Sequence, residues 1–427
     1  MYTLPHQMEP LFPAHTGALE DLARELVAAS AQLTGRLAPV ILTEIEALLR
    51  VVNSYYSNLI EGHNTHPVDI ERAMRRDYSS DPDQRDLQIE SRIHIEVQER
   101  LAVRLQAEPK CAVTSVEMLC WLHREFYEAL PERLRWVAGA DGERVWVDAG
   151  QLRDRLVQVG VHLAPDAPTL PAFLQRFAQA YEPPLPSSSD NPEAANQATA
   201  MPTAMPTAMH GLRPLIAIAA AHHRLAWIHP FLDGNGRVVR LFTDAYFQRI
   251  SLAGYGLWNV SRGLARRRND YRQQLAAADL PRQHDLDGRG NLSERALTEF
   301  CRFFLEVCLD QAKYMNSVLS LPGLLERLEQ YVALRNAGMV LGTDGQPASS
   351  LHLRVAPLLQ ALAVTGEVTR GAAFQAIGMS ERTGRTILKE LLAEGIILSR
   401  SEKGAIRLGF PSHTASYWLP DLYPSAR

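Results

Sequence analysis

A histidine, an aspartate, an asparagine and two arginines crowd into one short stretch, at His229, Asp233, Asn235, Arg237 and Arg240, around Gly234 and Gly236. The apolar rhythm of Ile216 to Trp227 stops before it and resumes from Val238 to Ile250, so the stretch reads as a loop feeding a helix. Such a junction suits polyphosphate. Glycines let backbone N–H groups approach an anion with no Cβ in the way, and the first helical turn adds free donors at the positive end of the dipole. Asp233 offers a hard oxygen for Mg²⁺, and Asn235 offers an amide. Arg237 and Arg240 are three apart, on one helical face, where two guanidinium groups can hold phosphate oxygens. His229 is the residue type expected of a general base near neutral pH.

Nine of the twelve positions, His229, Pro230, Phe231, Asp233, Gly234, Asn235, Gly236, Arg237 and Arg240, match the signature His-Pro-Phe-x-Asp-Gly-Asn-Gly-Arg-x-x-Arg. The chain therefore resembles the Fic family, whose typical members transfer AMP from ATP to a hydroxyl of a target protein. The resemblance implies an all-α fold, a Fic-type helical core with a small β-hairpin flap. It also implies ATP and Mg²⁺ as cofactors and assigns roles. His229 takes the proton of a Ser, Thr or Tyr hydroxyl, which attacks the α-phosphorus as pyrophosphate leaves. Asp233 holds the metal between the α- and β-phosphates. The backbone of Gly234 to Gly236, with Asn235, cradles the anion; Arg237 and Arg240 neutralise the tail, and Phe231 packs inward to fix the loop.

The elements that must position these residues follow from the rest of the pattern. Apolar residues recur at three and four from Leu19 to Leu49, and Pro39 opens a second helix expected to run through Ile60 and stop at Gly62. Its last turn carries Ser57 and Glu61, four apart and on one face. This resembles the Fic inhibitory motif Ser/Thr-x-x-x-Glu-Gly/Asn, whose Glu pairs with the second signature arginine, here Arg240, and disturbs binding of the γ-phosphate. A carboxylate in a guanidinium fork competes with phosphate for it. The expected activity is thus an auto-inhibited adenylyltransferase acting on a protein substrate and on itself. Two alternatives stay open: removal of AMP from a modified target, and a DNA-binding regulator acting through the C-terminal segment.

Asp69 to Leu105 is charge-rich and helical, with a break near Ser79 to Pro82; Thr114 is expected to cap the next helix, with Glu117 completing a capping box. Val145 to Val147 and Leu156 to Leu163 carry β-branched residues in short alternations, which predicts the hairpin or flap. After a helix at Leu170 to Tyr181, the run from Pro183 to His210 is rich in Pro, Ser and Ala and reads as a flexible insertion. The basic cluster Arg262 to Arg268 reads as a solvated face or core contacts. Ser293 is expected to cap a long helix to Val318, Leu324 to Leu334 gives another, and Gly338 to Ser350 looks like a linker.

The C-terminal pattern is helix, helix, helix, hairpin, with a glycine turn at Ile377 to Met379, and it resembles a winged helix-turn-helix module. From Leu351 to Pro411 eight Lys/Arg stand against five Asp/Glu, and Arg382, Arg385 and Lys389 share one side of the third helix. That balance leaves DNA contact and protein docking or homodimer formation equally open. The expected divisions are a helical region with the inhibitory helix at 1–110, a catalytic core at 111–320 with the insertion at 183–210, a helix and linker at 321–350, and the C-terminal module at 351–427.

At 427 residues the chain can build two or three domains, and a net charge of −4 argues neither for nor against nucleic acid. Cys111, Cys120, Cys301 and Cys308 form no Cys-x-x-Cys pair or zinc pattern, and Cys120 and Cys301, in apolar helical surroundings, read as reduced core thiols. The start, Met1 to Pro13, carries no positive-then-apolar signal, and the longest apolar stretch, Leu215 to Ala221, is too short for a bilayer. The expectation is a cytoplasmic protein with no membrane contact.

Overall fold

A computed structural model describes residues 2–139, 142–184, 211–342 and 346–424. The chain divides into two compact units. Unit 1 comprises Met1–Ala28, Ile93–Tyr255 and Val260–Asp310; unit 2 comprises Ala29–Arg92, Gly256–Asn259 and Gln311–Arg427. Helices α1 (Gly17–Leu33), α4 (Pro82–Ala107) and α11 (Glu294–Val318) contribute residues to both.

Unit 1 is built around a helix that is apolar nearly all the way round. α7 (Arg213–Ile228) buries every residue from Pro214 to Leu225, which fits a helix enclosed by neighbours. It packs against α6 (Leu170–Tyr181) and α8 (Asn235–Arg249), and α5 (Val116–Tyr127) packs on α8 and α6. His222 and Arg224 of α7 are paired, as buried polar groups usually are. His222 bonds Thr243 Oγ1 at 2.7 Å and the Tyr271 hydroxyl at 2.8 Å; Arg224 donates to the Pro10 carbonyl at 2.8 Å. Tyr271 belongs to α10 (Arg268–Ala278), which follows the short α9 (Val260–Arg266).

The expected capping residue of α5 is off by one. Ser115 is the N-cap, its Oγ accepting from the Met118 N–H at 3.1 Å. Thr114 is drawn elsewhere: its hydroxyl donates to Glu182 at 2.5 Å, and a hydroxyl held by a carboxylate does not cap. The β-branched stretches form two hairpins instead of one. β1 (Trp136–Ala138) pairs with β2 (Arg144–Trp146), placing Trp136 opposite Trp146. β3 (Gln158–Val159) and β4 (His162–Leu163) turn tightly at Gly160. Most of the expected insertion, 185–210, lies outside the described residues. Ser293 caps α11, accepting from the Ala296 N–H at 3.1 Å.

In unit 2, α2 (Pro39–Glu61) starts with proline in its first turn and ends at Gly62, whose φ of 102° gives the left-handed cap. It packs on α3 (Pro67–Met74). α12 (Leu321–Asn336) packs on α13 (Val355–Thr365), and α14 (Arg370–Ile377), α15 (Glu381–Ala393) and a sheet follow. The sheet has three strands, not the expected two. β5 (Glu367–Val368) joins β6 (Ile397–Ser399) and β7 (Ile406–Leu408) in the antiparallel order β5-β7-β6. Ser380 caps α15, accepting from the Thr383 N–H at 3.3 Å.

The stretch read as a linker lies beside a firm anchor. Arg335, 2% exposed at the end of α12, donates to both oxygens of Glu394 at 2.6 Å and to the Ser349 carbonyl at 2.5 Å. Beyond the sheet a helix that the sequence reading missed, α16 (Ser412–Trp418), packs on α12 and α3. Arg407 of β7 pairs with Glu44 of α2 at 2.7 Å, and the Tyr56 hydroxyl donates to the Leu422 carbonyl at 3.0 Å. The C-terminal segment is therefore joined to α2 and α3 in one body. Among the described residues no helix is long and apolar enough to cross a membrane, and all four cysteines are free thiols.

Candidate functional site

The break between α7 and α8 places the histidine. α7 ends at His229, whose backbone turns left-handed at φ 51°, an uncommon conformation for a residue with a Cβ. A buried arginine offsets that strain. Arg153, 4% exposed, donates Nε to the His229 carbonyl at 2.7 Å and an Nη to the Pro165 carbonyl at 2.6 Å, and its own N–H bonds the Pro230 carbonyl at 3.0 Å. Burial depresses its pKa to about 10, which leaves the guanidinium charged at neutral pH.

The imidazole of His229 is held neutral. Desolvation lowers its pKa to about 4, helped by the charge of Arg153 and opposed by a hydrogen bond to the Ala226 carbonyl. A neutral imidazole carries one ring N–H and keeps the other nitrogen as a lone-pair acceptor. The group can therefore receive a proton.

Beneath the loop stands a stack of three rings from two elements. His123 of α5 lies between Tyr127, with centroids 4.3 Å apart, and Phe231, with centroids 4.1 Å apart. Phe231 is fully buried. His123 accepts from the Gly150 N–H on Nδ1 at 2.8 Å, so its Nε2–H faces the Asp233 carbonyl at 3.3 Å. Desolvation lowers its pKa to about 4, so it stays neutral. Tyr127 donates its hydroxyl to Asp233 Oδ2 at 2.5 Å. The ring lies so close under Gly234 that a Cβ there would come within 2.6 Å of it, and Gly234 sits at φ 75°. Glycine is required on both counts.

Asn235 closes the loop from within. Its Oδ1 accepts from the Phe231 N–H at 2.9 Å and its Nδ2 donates to the Phe231 carbonyl at 2.8 Å, so both ends of the amide are spent on the backbone. The side chain thereby ties the loop to the Phe231 backbone, with a second Nδ2–H left over. Gly236 lies in the first turn of α8. Arg237 and Arg240 follow on α8, 8% and 3% exposed, with the Arg237 guanidinium 5.2 Å from the Phe126 ring centroid. Both guanidinium groups are buried in the first two turns of α8.

Asp233 is half-buried, with one carboxylate oxygen engaged by Tyr127. Among the described residues no group of three or more acidic, His or Cys side chains could enclose a metal ion. The donor set thus fits an ion of the Mg²⁺ kind that arrives with phosphate oxygens and takes one carboxylate from the protein. It does not fit an ion held by protein alone.

Ser57 and Glu61 belong to unit 2, in the last turns of α2, with Ser57 fully buried and Glu61 exposed. His229, Phe231, Asp233, Gly234, Asn235, Gly236, Arg237 and Arg240 belong to unit 1, as do Tyr127, His123 and Arg153. Those last three were not found by sequence reasoning. His123 and Tyr127 share a face of α5, but spacing alone does not say which loop that face meets.

Residues 113–247 match the Fic/DOC family. The protein adenylyltransferase Fic of Drosophila mojavensis is 32% identical over 109 residues, covering 26% of this chain and 16% of that protein. The corresponding protein of Drosophila grimshawi is 32% identical over 109 residues, covering 26% of this chain and 17% of its own length. The chain thus spans well under a third of the curated relatives it matches. Among solved structures, a Fic family protein from Desulfovibrio desulfuricans is 19% identical with a TM-score of 0.45, covering 91% of this chain and 95% of that one. A Fic domain containing signaling protein from Bacteroides thetaiotaomicron is 16% identical with a TM-score of 0.46, covering 69% of this chain and 95% of that one.

Proposed function

We propose that this chain, whose residues 113–247 match the Fic/DOC family, transfers AMP from ATP to a Ser, Thr or Tyr hydroxyl of a protein and releases pyrophosphate. The observation that carries the reading is a neutral imidazole, His229, presented beside a helix N-terminus that also bears Arg237 and Arg240. The backbone N–H groups of the first turn of α8 and the two guanidinium groups bind the phosphates and fix their orientation. A hydroxyl aligned with the α-phosphorus gives its proton to the free nitrogen of His229 as the new P–O bond forms. A base with a pKa near 4 accepts that proton only as attack proceeds, so the transfer belongs to the transition state. Arg237 and Arg240 stand ready to stabilise the charge on the departing pyrophosphate without reorganising. A bound Mg²⁺, held by Asp233 and the phosphates, would supply further charge neutralisation there.

Auto-inhibition by Glu61 and self-modification belong to the same proposal. They are supported by the Ser57 and Glu61 pattern at the end of α2. The proposed partner of the C-terminal module is duplex DNA. A groove of about 1320 Å³ there is lined by Arg370, Arg385, Lys389 and Lys403 against Glu381 and Glu402.

The test is labelling of lysate protein by the wild-type chain and by His229→Ala, with ATP carrying label on either the α- or the γ-phosphate. Transfer of AMP puts α-label and no γ-label on protein, and His229→Ala reduces it by about 10²–10⁴-fold. Equal labelling by both proteins, or incorporation of γ-label, overturns the reading.

A further inference from the structure

Within unit 1 one buried histidine has a donor with nothing to bond. His94 stands on α4 and is 1% exposed. Gln98, one turn along, places its Nε2 at 3.0 Å from His94 Nδ1 and at 3.4 Å from the His94 carbonyl. A carbonyl oxygen only accepts, so the amide nitrogen is the donor and Nδ1 is the acceptor. The ring proton is therefore on Nε2. Among the described residues that Nε2–H meets no acceptor, an arrangement folded proteins seldom keep without use.

The surroundings say what would satisfy it. His94 meets the Phe126 ring edge-on at 6.4 Å between centroids, and the Arg237 guanidinium lies over the same ring at 5.2 Å. Burial first, then the positive charges of Arg240 and Arg237, keep the imidazole neutral, with a pKa of about 3. The corner thus combines two cations with a neutral N–H. A third cation would repel the other two, whereas a neutral donor adds a hydrogen bond to an anion without that cost. The matching ligand carries negative charge spread over several acceptor oxygens, which describes a polyphosphate.

We propose that His94 is a further phosphate ligand of the nucleotide site, donating Nε2–H to a non-bridging oxygen of the triphosphate held by Arg237 and Arg240. This rests on the reading of that corner as a nucleotide site. His94 binds and positions; the proton relay of the transfer does not pass through it.

The experiment is calorimetric titration of the full chain with Mg·ATP and with inorganic tripolyphosphate, for wild type, His94→Phe, His94→Gln and Arg240→Ala, alongside melting of each protein without ligand. His94→Phe keeps the ring shape and loses the donor, so it weakens both ligands by about tenfold, which is about 1.4 kcal/mol. Tripolyphosphate shares the loss because the contact is to phosphate and not to the base. His94→Gln restores an N–H at the same reach and stays within about threefold of wild type, less than the value of one charge-assisted bond. Without ligand, His94→Phe removes the unsatisfied Nε2–H but also the Nδ1 acceptor of Gln98, so it melts somewhat below wild type while His94→Gln keeps its binding. Binding of both ligands by His94→Phe at wild-type strength, with Arg240→Ala weakened, overturns the His94 proposal and leaves the nucleotide site standing. Equal weakening in His94→Phe and His94→Gln, with lowered melting in both, means that His94 only supports the fold. If wild type binds neither ligand, or Arg240→Ala binds as tightly as wild type, the nucleotide reading falls and His94 falls with it.

Discussion

Gly234→Ala tests whether the loop is fixed from beneath by Tyr127. The residue sits at φ 75°, where an L side chain costs roughly 1–2 kcal/mol. The new Cβ would also stand 2.6 Å from Tyr127 Cε2 and 2.9 Å from its hydroxyl. Tyr127 has little freedom to yield, because it is stacked on His123 and bonded to Asp233 at 2.5 Å. Forcing a carbon into a site packed this way costs about 1–3 kcal/mol, so strain and clash together come to about 2–5 kcal/mol. For a body the size of unit 1 that lowers the melting midpoint by about 5–15 °C. Scanning calorimetry is the assay, with every transition followed, since a chain of two units need not melt in one step. The clash can be separated from the strain in a Tyr127→Ala background, where Gly234→Ala should cost only the roughly 1–2 kcal/mol of backbone strain. A melting curve indistinguishable from wild type, or the same penalty in both backgrounds, would refute the reasoning.

Three further outcomes are expected. Under the proposed auto-inhibition, Glu61→Gly raises self-labelling and adding Arg240→Ala cancels the gain; labelling at the wild-type level would remove Glu61 from the control of the site. If the proposed DNA partner is right, the protein is retained on duplex DNA at low salt, and Arg385→Ala with Lys389→Ala lowers the slope of log K against log salt by about 0.9 per lost phosphate contact; no retention of any duplex at about 50 mM salt would turn the groove towards a protein partner. His94 and His222 have folded pKa values of about 3, and His123 and His229 of about 4, all below the ordinary histidine value. Between those values and about 6.5 the unfolded chain binds more protons than the folded one, so stability is present above about pH 6.5 and is lost as pH falls. Each such histidine contributes a slope of up to about 1.4 kcal/mol per pH unit, and melting midpoints constant from about pH 7 to pH 5 would contradict the burial of these rings.

What the sequence made legible is what short-range geometry controls. The glycine that ends α2 and the halt of the apolar rhythm before His229 depend on residues within a turn or two, and both appear in the structure where the pattern puts them. The choice between Thr114 and Ser115 as the cap of α5 does not. Both carry a hydroxyl, and the decision is made by Glu182, a residue far along the chain that claims Thr114. The stretch after α12 has the composition of a linker, and composition gives no sign of the bonds that Arg335 beside it makes to Glu394 and Ser349. The third strand was hidden because a two-residue segment has too few positions to show a period of two.

Asn235 shows the limit most directly at the site. Its amide suits an anion cradle chemically, and its place between two glycines of the loop invites that assignment. In the structure the same amide is bonded at both ends to the Phe231 backbone, so it fixes the shape of the loop whatever else it meets. The residues that hold the loop from the other side, Tyr127, His123 and Arg153, come from α5 and from the segment between β2 and β3. Residue type therefore says what a side chain can do, while the partner that occupies its hydrogen bonds decides what it does. For Asn235 the partner is its own loop, and for His94 the vacant Nε2–H leaves the role to a ligand.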